Sequence, residues 1–312
     1  MDACYHRPVL FEEAMESLAI REGGRYLDGT VGGGGHAEEI ARRMGPSGFL
    51  IALDVDDDAI AAARRRLEPL DRRIVVRKCN FIDMREIAAS CGFSLLDGIL
   101  LDLGVSSHQL ETTERGFSFL RDAPLDMRMD AGSVRTAADI VNDWSAEDLL
   151  RIIREYGEEP RAKSIVRAIV RRRKESPIAT TGDIAAIIAL AVGKGRDRGK
   201  IHPATKTFQA LRIALNDEMN NLEKALEEAI ELLAPGGRIS IISFHSLEDR
   251  AVKRAFRSWE GRCTCPPSFP ICTCGRKRRA KVITRRPVTA GDEERRENPR
   301  ARSAKLRTAE KE

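Results

Sequence analysis

A glycine-dense turn near the N-terminus constrains the fold of this chain more than any other stretch. A short apolar run ends at Asp28, and a cluster of glycines follows: Gly29, Gly32, Gly33, Gly34 and Gly35. His36 follows the glycines, and residues 37–44 then continue with the spacing of a helix. Glycines permit positive φ and a close approach of a ligand to the backbone, and a helix start offers free N–H groups. The stretch therefore predicts the strand–turn–helix entrance of a nucleotide-binding α/β unit.

The glycine spacing separates two kinds of nucleotide site. No Gly-x-Gly-x-x-Gly register fits the cluster, so the dinucleotide fingerprint is absent from it. Asp28 closes the strand directly before the glycines, and its carboxylate suits a cationic amino-acid end such as that of S-adenosylmethionine. A glycine cluster alone is also typical of a flexible turn, so the interpretation depends on the strands and acids downstream of it.

Composition bounds the class of protein. The 312 residues are enough for one large domain or for two. A hydrophobic content of 42% and a charged content of 32% describe a soluble globular protein, and no apolar run is long enough for a membrane span. The first residues show no apolar signal region, so we expect a cytoplasmic protein without a membrane partner. The 7 cysteines are then expected to be thiols or metal ligands.

Acids end three of the predicted strands. Asp28 ends the first strand, Asp54 ends a second at residues 49–54, and Asp102 lies at the end of a fourth at residues 98–103. The carboxyl ends of parallel strands meet at one edge of an open α/β sheet, where ligands bind. Each acid alone has an ordinary structural explanation, such as capping the next helix. Together they favour a ligand site.

Two of the residues at this edge suit a nucleoside. Asp54 follows Asp28 at about the distance at which a ribose-binding acid stands in nucleotide-binding βαβ units. The third predicted strand covers residues 73–76, and Phe81 lies just beyond its end. Its ring could stack on an adenine or belong to the core.

The alternation of strands and helices stops in the middle of the chain. Between residues 112 and 204 we find no convincing strand, only a loop and helical patterns at residues 146–156, 160–174 and 181–192. A fifth strand follows at residues 239–244, and a last edge strand is predicted near residues 304–309. The sequence therefore predicts a discontinuous α/β domain of residues 1–110 and 205–312, interrupted by a helical insertion domain at residues 111–204.

The end of the fifth strand carries Ser243 and, two residues later, His245 at the start of a helix. His245 could act in catalysis, bind phosphate or satisfy a backbone group.

Four clustered cysteines leave a metal site open. They form two Cys-x-Cys pairs, Cys263 with Cys265 and Cys272 with Cys274. Four thiolates can hold one structural zinc ion, but the usual ligand pairs are separated by two to four residues. A catalytic zinc ion would require an open coordination position, which four thiolates do not leave.

Basic clusters indicate a polyanionic partner. The formal net charge is only +5, but cations concentrate at residues 171–174, 194–200 and 276–286. Each cluster alone could be a solvated face, whereas all three together favour nucleic acid. Aromatic residues make up only 5% of the chain, which argues against stacking platforms of the RNA-recognition-motif kind.

Several long motifs resemble those of one family, the ribosomal RNA small subunit methyltransferase H family. They lie at residues 28–36, 98–109, 115–119, 124–130, 202–205, 243–250 and 298–302, and so extend over nearly the whole chain. The resemblance implies a Rossmann-like methyltransferase that uses S-adenosylmethionine to methylate N4 of a cytidine in the decoding region of 16S rRNA. The partner would be 16S rRNA or the small ribosomal subunit, with the helical insertion as the domain that recognises it. The oligomeric state, a homodimer included, stays open.

The resemblance also implies cofactor contacts at individual positions. These are Gly34, Gly35, His36, Asp54, Phe81, Asp102 and Gln109, in addition to Asp28 from the strand-end argument. The cysteine segment occurs in only part of the family.

The implied reaction needs an acceptor for a proton. The lone pair of cytosine N4 is delocalised into the ring, so groups that hold its N–H bonds would localise that pair and take up the proton. Asp102 is the first candidate for orienting the methyl donor or accepting the proton, and His245 and Ser243 are further candidates. The target base must leave its stack, which costs least in a loop or partly unpaired RNA.

Two alternatives use the same features differently. One is a methyltransferase that acts on DNA cytosine or on a small molecule. A DNA enzyme of this kind would carry Pro-Pro-aromatic after the acid that ends the fourth strand, whereas this chain has Leu-Gly-Val-Ser at residues 103–106. A small-molecule enzyme would leave the basic clusters unexplained. The other is a non-catalytic RNA-binding assembly factor that retains the cofactor fold. A cofactor-binding titration would separate it from an enzyme.

Overall fold

The computed structural model describes residues 8–70, 73–193, 202–261 and 277–312. The chain divides into two compact units, one of Met1–Gly104 with Asn220–Glu312 and the other of Val105–Met219. Each unit has its own cluster of buried apolar side chains. We refer to them as the sheet unit and the helical unit.

The strands form one sheet within the described residues. They are β1 Arg25–Asp28, β2 Phe49–Asp54, β3 Ile74–Lys78, β4 Leu96–Asp102, β5 Leu233–Ser243, β6 Ala280–Val282 and β7 Lys305–Lys311. Their order is β3-β2-β1-β4-β5-β7-β6. The first five are parallel, β7 pairs antiparallel with β5, and β6 pairs antiparallel with β7. This arrangement confirms the predicted α/β, Rossmann-like fold.

The helices follow the apolar spacing of the sequence. They are α1 Phe11–Leu18, α2 Gly35–Met44, α3 Asp57–Leu67, α4 Met84–Ser90, α5 Ser107–Glu111, α6 Ala137–Asp143, α7 Ala146–Glu155, α8 Ala162–Arg173, α9 Thr181–Val192, α10 Thr205–Leu215, α11 Glu218–Leu232, α12 Ser246–Trp259 and α13 Asp292–Glu297. In α2, for example, Ala37, Ile40 and Met44 recur at helical spacing and are fully buried, because that face packs against β1 and β2.

The sheet places a ligand edge at β1. Strand order runs from β1 through β2 to β3 on one side and from β1 to β4 and β5 on the other. Strand order therefore reverses at β1, and the crevice outside such a switch point is where open α/β sheets bind ligands. β1 and β4 are buried apart from the exposed Arg25 and the partly exposed Asp97 and Asp102, as expected for parallel strands covered on both faces.

Several helices of the helical unit begin with a polar cap. The side chains of Thr136, Ser145 and Thr180 accept hydrogen bonds from backbone N–H groups at the starts of α6, α7 and α9. Its core contains apolar residues such as Ile152 and Ile165. Within its described residues the only strand-like pairing is the isolated bridge between Pro124 and Thr180.

Two local predictions differ from the structure. The predicted fifth strand at residues 239–244 begins earlier in the structure, because residues 235–238 also lie inside β5, where the pairing with β4 shifts register between Leu96 and Gly98. Gly236 adopts φ +76°, which lets the strand absorb the extra residues as an irregularity. The C-terminal strand is real but is not the edge, because the three-residue β6 pairs along its outer side.

None of the described helices combines the length and the apolar character that crossing a membrane would require.

Candidate active site

The ends of β1 and β4 are joined through one threonine. The Thr30 backbone N–H donates to Asp28 Oδ1 at 3.1 Å, and the Asp102 backbone N–H donates to Thr30 Oγ1 at 2.6 Å. Asp28 and Asp102 therefore stand on neighbouring parallel strands in a fixed relation. Thr30 lies within the motif at residues 28–36, but the sequence predicts no role for it, because a hydroxyl that bridges two strands has no local signature.

Both acids keep a buried oxygen without a hydrogen-bond partner within the described residues. These atoms are Asp28 Oδ2 and Asp102 Oδ1. Burial, together with the nearby charges of Asp102 and Asp54, raises the pKa of Asp28 to about 8, although the hydrogen bond from the Thr30 N–H lowers it. Burial likewise raises the pKa of Asp102 to about 7, while Arg300 lowers it and Glu248 raises it. A cationic ligand would supply the missing partners and favour the charged form of both acids.

His36 lies beside Asp102. Its Nδ1 is 3.8 Å from Asp102 Oδ2, and its ring stacks on Phe11 with the centroids 5.7 Å apart. Burial lowers the pKa of His36 to about 4, so the ring is neutral at pH 7. Its Nε2 is a third buried atom without a hydrogen-bond partner among the described residues. His36 can therefore donate or accept a hydrogen bond toward a ligand without bringing a charge.

The predicted glycines Gly34 and Gly35 sit at the start of α2. Gly34 is the N-cap with φ +81°, a left-handed conformation that favours glycine. A Cβ on Gly35 would lie 2.6 Å from Pro8 Cγ, so this position has no room for a side chain. The glycines thus allow the chain to turn sharply and bring the α2 N-terminus close to the ends of the strands.

Asp54 ties the glycine turn to β2. Its Oδ2 accepts from the Gly32 N–H at 2.9 Å, and its Oδ1 accepts from the Asp56 N–H at 3.0 Å. Burial raises the pKa of Asp54 to about 6 despite these bonds. Each carboxylate oxygen can accept more than one hydrogen bond, so Asp54 can still receive a ribose hydroxyl.

Phe81 begins a short 3₁₀ turn after β3, and its ring is partly exposed. The turn is fixed by Asn80, whose side chain accepts from the Ile82 N–H at 3.1 Å. A Cβ on Gly29 would lie 3.0 Å from Phe81 Cβ, which places Phe81 against the first residue of the glycine turn. The structure therefore brings Phe81 to the same edge as Asp28, Asp54 and Asp102.

Gln109 belongs to the helical unit. It is buried in α5, and its side-chain Oε1 accepts from the Ser106 N–H at 2.9 Å while the Ser106 hydroxyl accepts from the Gln109 N–H. This reciprocal capping box gives Gln109 a structural task at the start of α5. Its predicted contact with a cofactor stays a prediction.

The two further catalytic candidates have contacts typical of structural residues. Ser243 is buried at the end of β5, and its hydroxyl donates to the Lys305 carbonyl at 3.3 Å. His245 is the N-cap of α12: its Nδ1 accepts from the Glu248 N–H at 3.4 Å, and Glu248 Oε2 accepts from the N–H groups of Phe244 and His245. His245 Nε2 lies 3.2 Å from Glu248 Oε1 without an aligned hydrogen bond.

Arg300 lies near the candidate site, and the sequence motifs did not single it out. It is part of the predicted motif at residues 298–302, within the short 3₁₀ helix Pro299–Arg302. Its guanidinium lies 5.7 Å from the centroid of the Phe244 ring, and its charge lowers the pKa of Asp102. The motif spacing gave no indication that the C-terminal segment returns to the end of β4.

The cysteines proposed as zinc ligands, Cys263, Cys265, Cys272 and Cys274, lie outside the described residues. The same holds for the basic cluster at residues 194–200.

The residues of the sheet unit fit S-adenosylmethionine. Asp28 and Asp102 have oxygens without partners that would suit its cationic groups, Asp54 has acceptors that would suit the ribose, and the Phe81 ring would suit the adenine. The buried atoms without partners carry this argument, because burying them without a ligand costs stability.

Comparison with known proteins agrees on one family. The model of the MraW methylase family matches residues 3–312. The chain is 56% identical over 307 residues to the ribosomal RNA small subunit methyltransferase H of Syntrophus aciditrophicus, with 98% of each chain covered. It is 52% identical over 309 residues to the protein of the same name from Symbiobacterium thermophilum, covering 99% of this chain and 97% of the relative.

A solved rRNA methylase from Streptococcus thermophilus is similar at 10% identity with a TM-score of 0.40, covering 96% of this chain and 93% of that chain.

Proposed function

The chain belongs to the MraW methylase family, and we propose that it is an S-adenosylmethionine-dependent methyltransferase that acts on ribosomal RNA of the small subunit. More specifically, we propose that it methylates the exocyclic N4 of a cytidine in the decoding region of 16S rRNA. The observation that carries the proposal is the pair of buried oxygens without partners at the ends of β1 and β4, on Asp28 and Asp102. Full-length relatives at 50–56% identity, named for small-subunit rRNA methylation, support the choice of substrate.

The sheet unit would bind the methyl donor. S-adenosylmethionine supplies an electrophilic methyl group on a sulfonium centre. Asp28 would hold the cationic amino-acid end beside the glycine turn, and Asp54 and Phe81 would hold the nucleoside. The carboxylates of Asp28 and Asp54 accept hydrogen bonds from backbone N–H groups before the ligand arrives, which lowers the entropic cost of binding.

Asp102 would act on the acceptor amine. As the N4–C bond forms and the sulfur–methyl bond breaks, N4 acquires a positive charge and must lose one proton. A carboxyl group whose pKa burial raises to about 7 is suited to orienting an N–H bond and accepting that proton. Arg300 limits the rise of that pKa, so that a charged fraction of Asp102 persists at neutral pH. The thioether S-adenosylhomocysteine and a methylated cytidine are the products.

The helical unit would recognise the RNA. Sequence-independent contacts to phosphates position an RNA but do not select a base, so selection requires that the target base leave its stack and enter the site. The basic segment at residues 276–286 would add phosphate contacts. Binding should accordingly weaken with salt.

The test is transfer of labelled methyl from S-adenosylmethionine to small ribosomal subunits from cells that lack this protein, followed by nuclease mapping of the labelled nucleoside. Label in one N4-methylated cytidine is the expected result. Label in a different nucleoside would contradict the N4 assignment but retain the enzyme. Absence of label in subunits and in naked rRNA, with the cofactor still bound, would contradict the substrate. Absence of cofactor binding would contradict the enzyme and leave a non-catalytic assembly factor.

A further inference from the structure

Helix α8 presents a stripe of cations with no acid in it. Four exposed side chains, Lys163, Arg167, Arg171 and Lys174, recur along the helix at spacings of four, four and three residues. Such spacings place side chains on one helical face. No carboxylate occurs from residue 162 to residue 174. With about 1.5 Å of rise per residue, this cationic stripe extends over about 16 Å.

The cationic stripe differs from the basic cluster at residues 171–174 that the sequence shows. Residues 171–174 are consecutive cations, but the structure divides them. Arg172 donates to the carbonyl and hydroxyl of Ser176, and Arg173 donates to the Val141 carbonyl at 2.8 Å. These two arginines support the local fold. Arg171 and Lys174 instead continue the exposed row that begins at Lys163 and Arg167.

None of the four side chains has an ion pair or hydrogen bond with any described residue. The apolar face of α8 contributes Ile165, Val166 and Ile169 to the core of the helical unit, so the charged face is the outer one. The stripe therefore offers four cations that the fold itself does not neutralise.

Helix stability does not explain this pattern. The helix dipole favours cations in the last turn, which accounts for Arg171. It disfavours a cation in the first turn, where Lys163 lies, and like charges four residues apart repel each other. The stripe thus costs stability that a function would offset.

The neighbouring helix α7, in the same unit, has exposed arginines that are balanced by acids. It also exposes two arginines, Arg151 and Arg154, but it interleaves them with Glu147, Asp148 and Glu155. Arg151 forms an ion pair with Asp148 at 3.0 Å. An ordinary solvated helix in this protein therefore balances its charges, and α8 does not.

We infer that the stripe Lys163–Arg167–Arg171–Lys174 is a phosphate-binding surface for the RNA backbone. This inference rests on the proposed function, which supplies an RNA substrate, and it assigns a particular helix face to that substrate. A row of long, unpaired cations suits a linear polyanion, which it would bind without base selection. A lipid surface fits less well, because the large apolar side chains of α8 are buried in the core and cannot insert into a membrane.

The experiment compares two matched variants of the full chain. R167Q/R171Q removes two exposed arginines from the stripe, and R151Q/R154Q removes two exposed arginines from α7 with the same loss of net charge. The fourfold variant K163Q/R167Q/R171Q/K174Q removes the whole stripe. The probe is in vitro transcribed 16S rRNA, titrated over a series of salt concentrations, with single-stranded polyuridylate as a second RNA. The dissociation constant for S-adenosylmethionine checks that each variant is folded.

The inference predicts a shallower salt dependence, because each lost phosphate contact removes about 0.7 from the magnitude of the slope of log affinity against log salt. The magnitude should fall by about 1.4 in R167Q/R171Q and by about 2.8 in the fourfold variant. Both RNAs should lose affinity by the same factor, and R151Q/R154Q should change the slope by less than a third as much as R167Q/R171Q.

An unchanged slope in the fourfold variant, or equal losses in the two double variants, would overturn the inference. Polyglutamate, a polyanion without phosphates, is a further probe. If the fourfold variant lost affinity for polyglutamate by the same factor as for RNA, the assignment of the stripe to RNA would be overturned. These results are separate from the proposed function, since wild-type protein that transfers no methyl to rRNA would contradict the function whatever the slopes are.

Discussion

The adjacent strands β4 and β5 end in polar residues that differ in how far the fold satisfies their hydrogen bonds. At the end of β4, Asp102 has a buried oxygen without a hydrogen-bond partner in the described structure, and burial raises its pKa to about 7. At the end of β5, the Ser243 hydroxyl bonds to a backbone carbonyl and His245 caps α12 together with Glu248. Position in the sheet made all three residues candidates for catalysis. The Ser243 hydroxyl and His245 Nδ1 thus have partners within the fold, whereas Asp102 Oδ1 and His245 Nε2 have none among the described residues. Asp102 combines its unpartnered oxygen with a position beside Asp28, whose Oδ2 is unpartnered as well, and we therefore place the ligand at this pair of acids.

The largest effect should come from Asp102→Asn. The amide keeps the size of the side chain but cannot accept the proton as a carboxylate does. We expect the single-turnover rate of methyl transfer to fall by about 10²- to 10⁴-fold. Ser243→Ala, on the neighbouring strand, is the matched control and should change the rate by less than about threefold. Equal losses in the two variants would remove the distinction between the two strand ends.

The next largest effect should be on cofactor affinity. Asp28→Asn removes the charge that would meet the cationic end of S-adenosylmethionine while keeping the bond from the Thr30 N–H. A hydrogen bond to a charged group contributes about 1.5–3 kcal/mol, so we expect the dissociation constant to rise by about 10- to 100-fold. Isothermal titration with S-adenosylhomocysteine alongside S-adenosylmethionine would measure it. Unchanged affinity for both would place the ligand elsewhere.

Asp28 should also make stability depend on pH in an unusual direction. Its pKa is about 8 in the folded protein and near 3.8 when unfolded, so the folded state binds more protons between these values. The free energy of unfolding should therefore fall as pH rises from about 4 to 8, by at most about 1.4 kcal/mol per pH unit for this one group.

Comparing wild type with Asp28→Asn in urea titrations isolates this contribution, because Asp54, Asp102 and His36 are present in both proteins. Relative to the variant, wild type should lose stability as pH rises. A difference that stays constant from pH 4 to 8 would mean that Asp28 ionises normally.

The smallest effect should come from the cap of α12. His245→Ala removes the acceptor for the Glu248 N–H, and we expect it to lower the free energy of unfolding by about 1 kcal/mol. His245→Asn, which can accept the same bond, should restore most of that loss. The transfer rate per folded molecule should change by less than about threefold in both. A large loss of rate without loss of stability would return His245 to the catalytic candidates.

The sequence alone predicts the parallel sheet and the edge at which ligands bind. Buried apolar runs ending in Asp28, Asp54 and Asp102 predict parallel strands and the side of the sheet where they converge, because both features depend on local pattern. The fold class is confirmed by the strand order. The family resemblance is confirmed by the match to the MraW methylase family.

Contacts between residues far apart in the sequence could not be predicted from it. The three-residue β6 is too short to give a periodic signal, so β7 was wrongly expected at the edge of the sheet. The Thr30 bridge to β4 and the approach of Arg300 to Asp102 join positions that are far apart in sequence. Hydrogen bonding also separates Ser243 from Asp102, and no spacing rule reports whether a polar side chain already has a partner.

The most direct test of the account is the number of protons released when S-adenosylmethionine binds, measured by calorimetry at pH 7 in buffers of different ionisation enthalpy. In the free protein, Asp28 is mostly protonated and Asp102 about half protonated, given pKa values of about 8 and about 7. A cation bound between them lowers both values, so the account predicts net proton release that decreases in Asp28→Asn and in Asp102→Asn but not in Ser243→Ala. Binding with no proton release, or with release that Ser243→Ala alone abolishes, would contradict it.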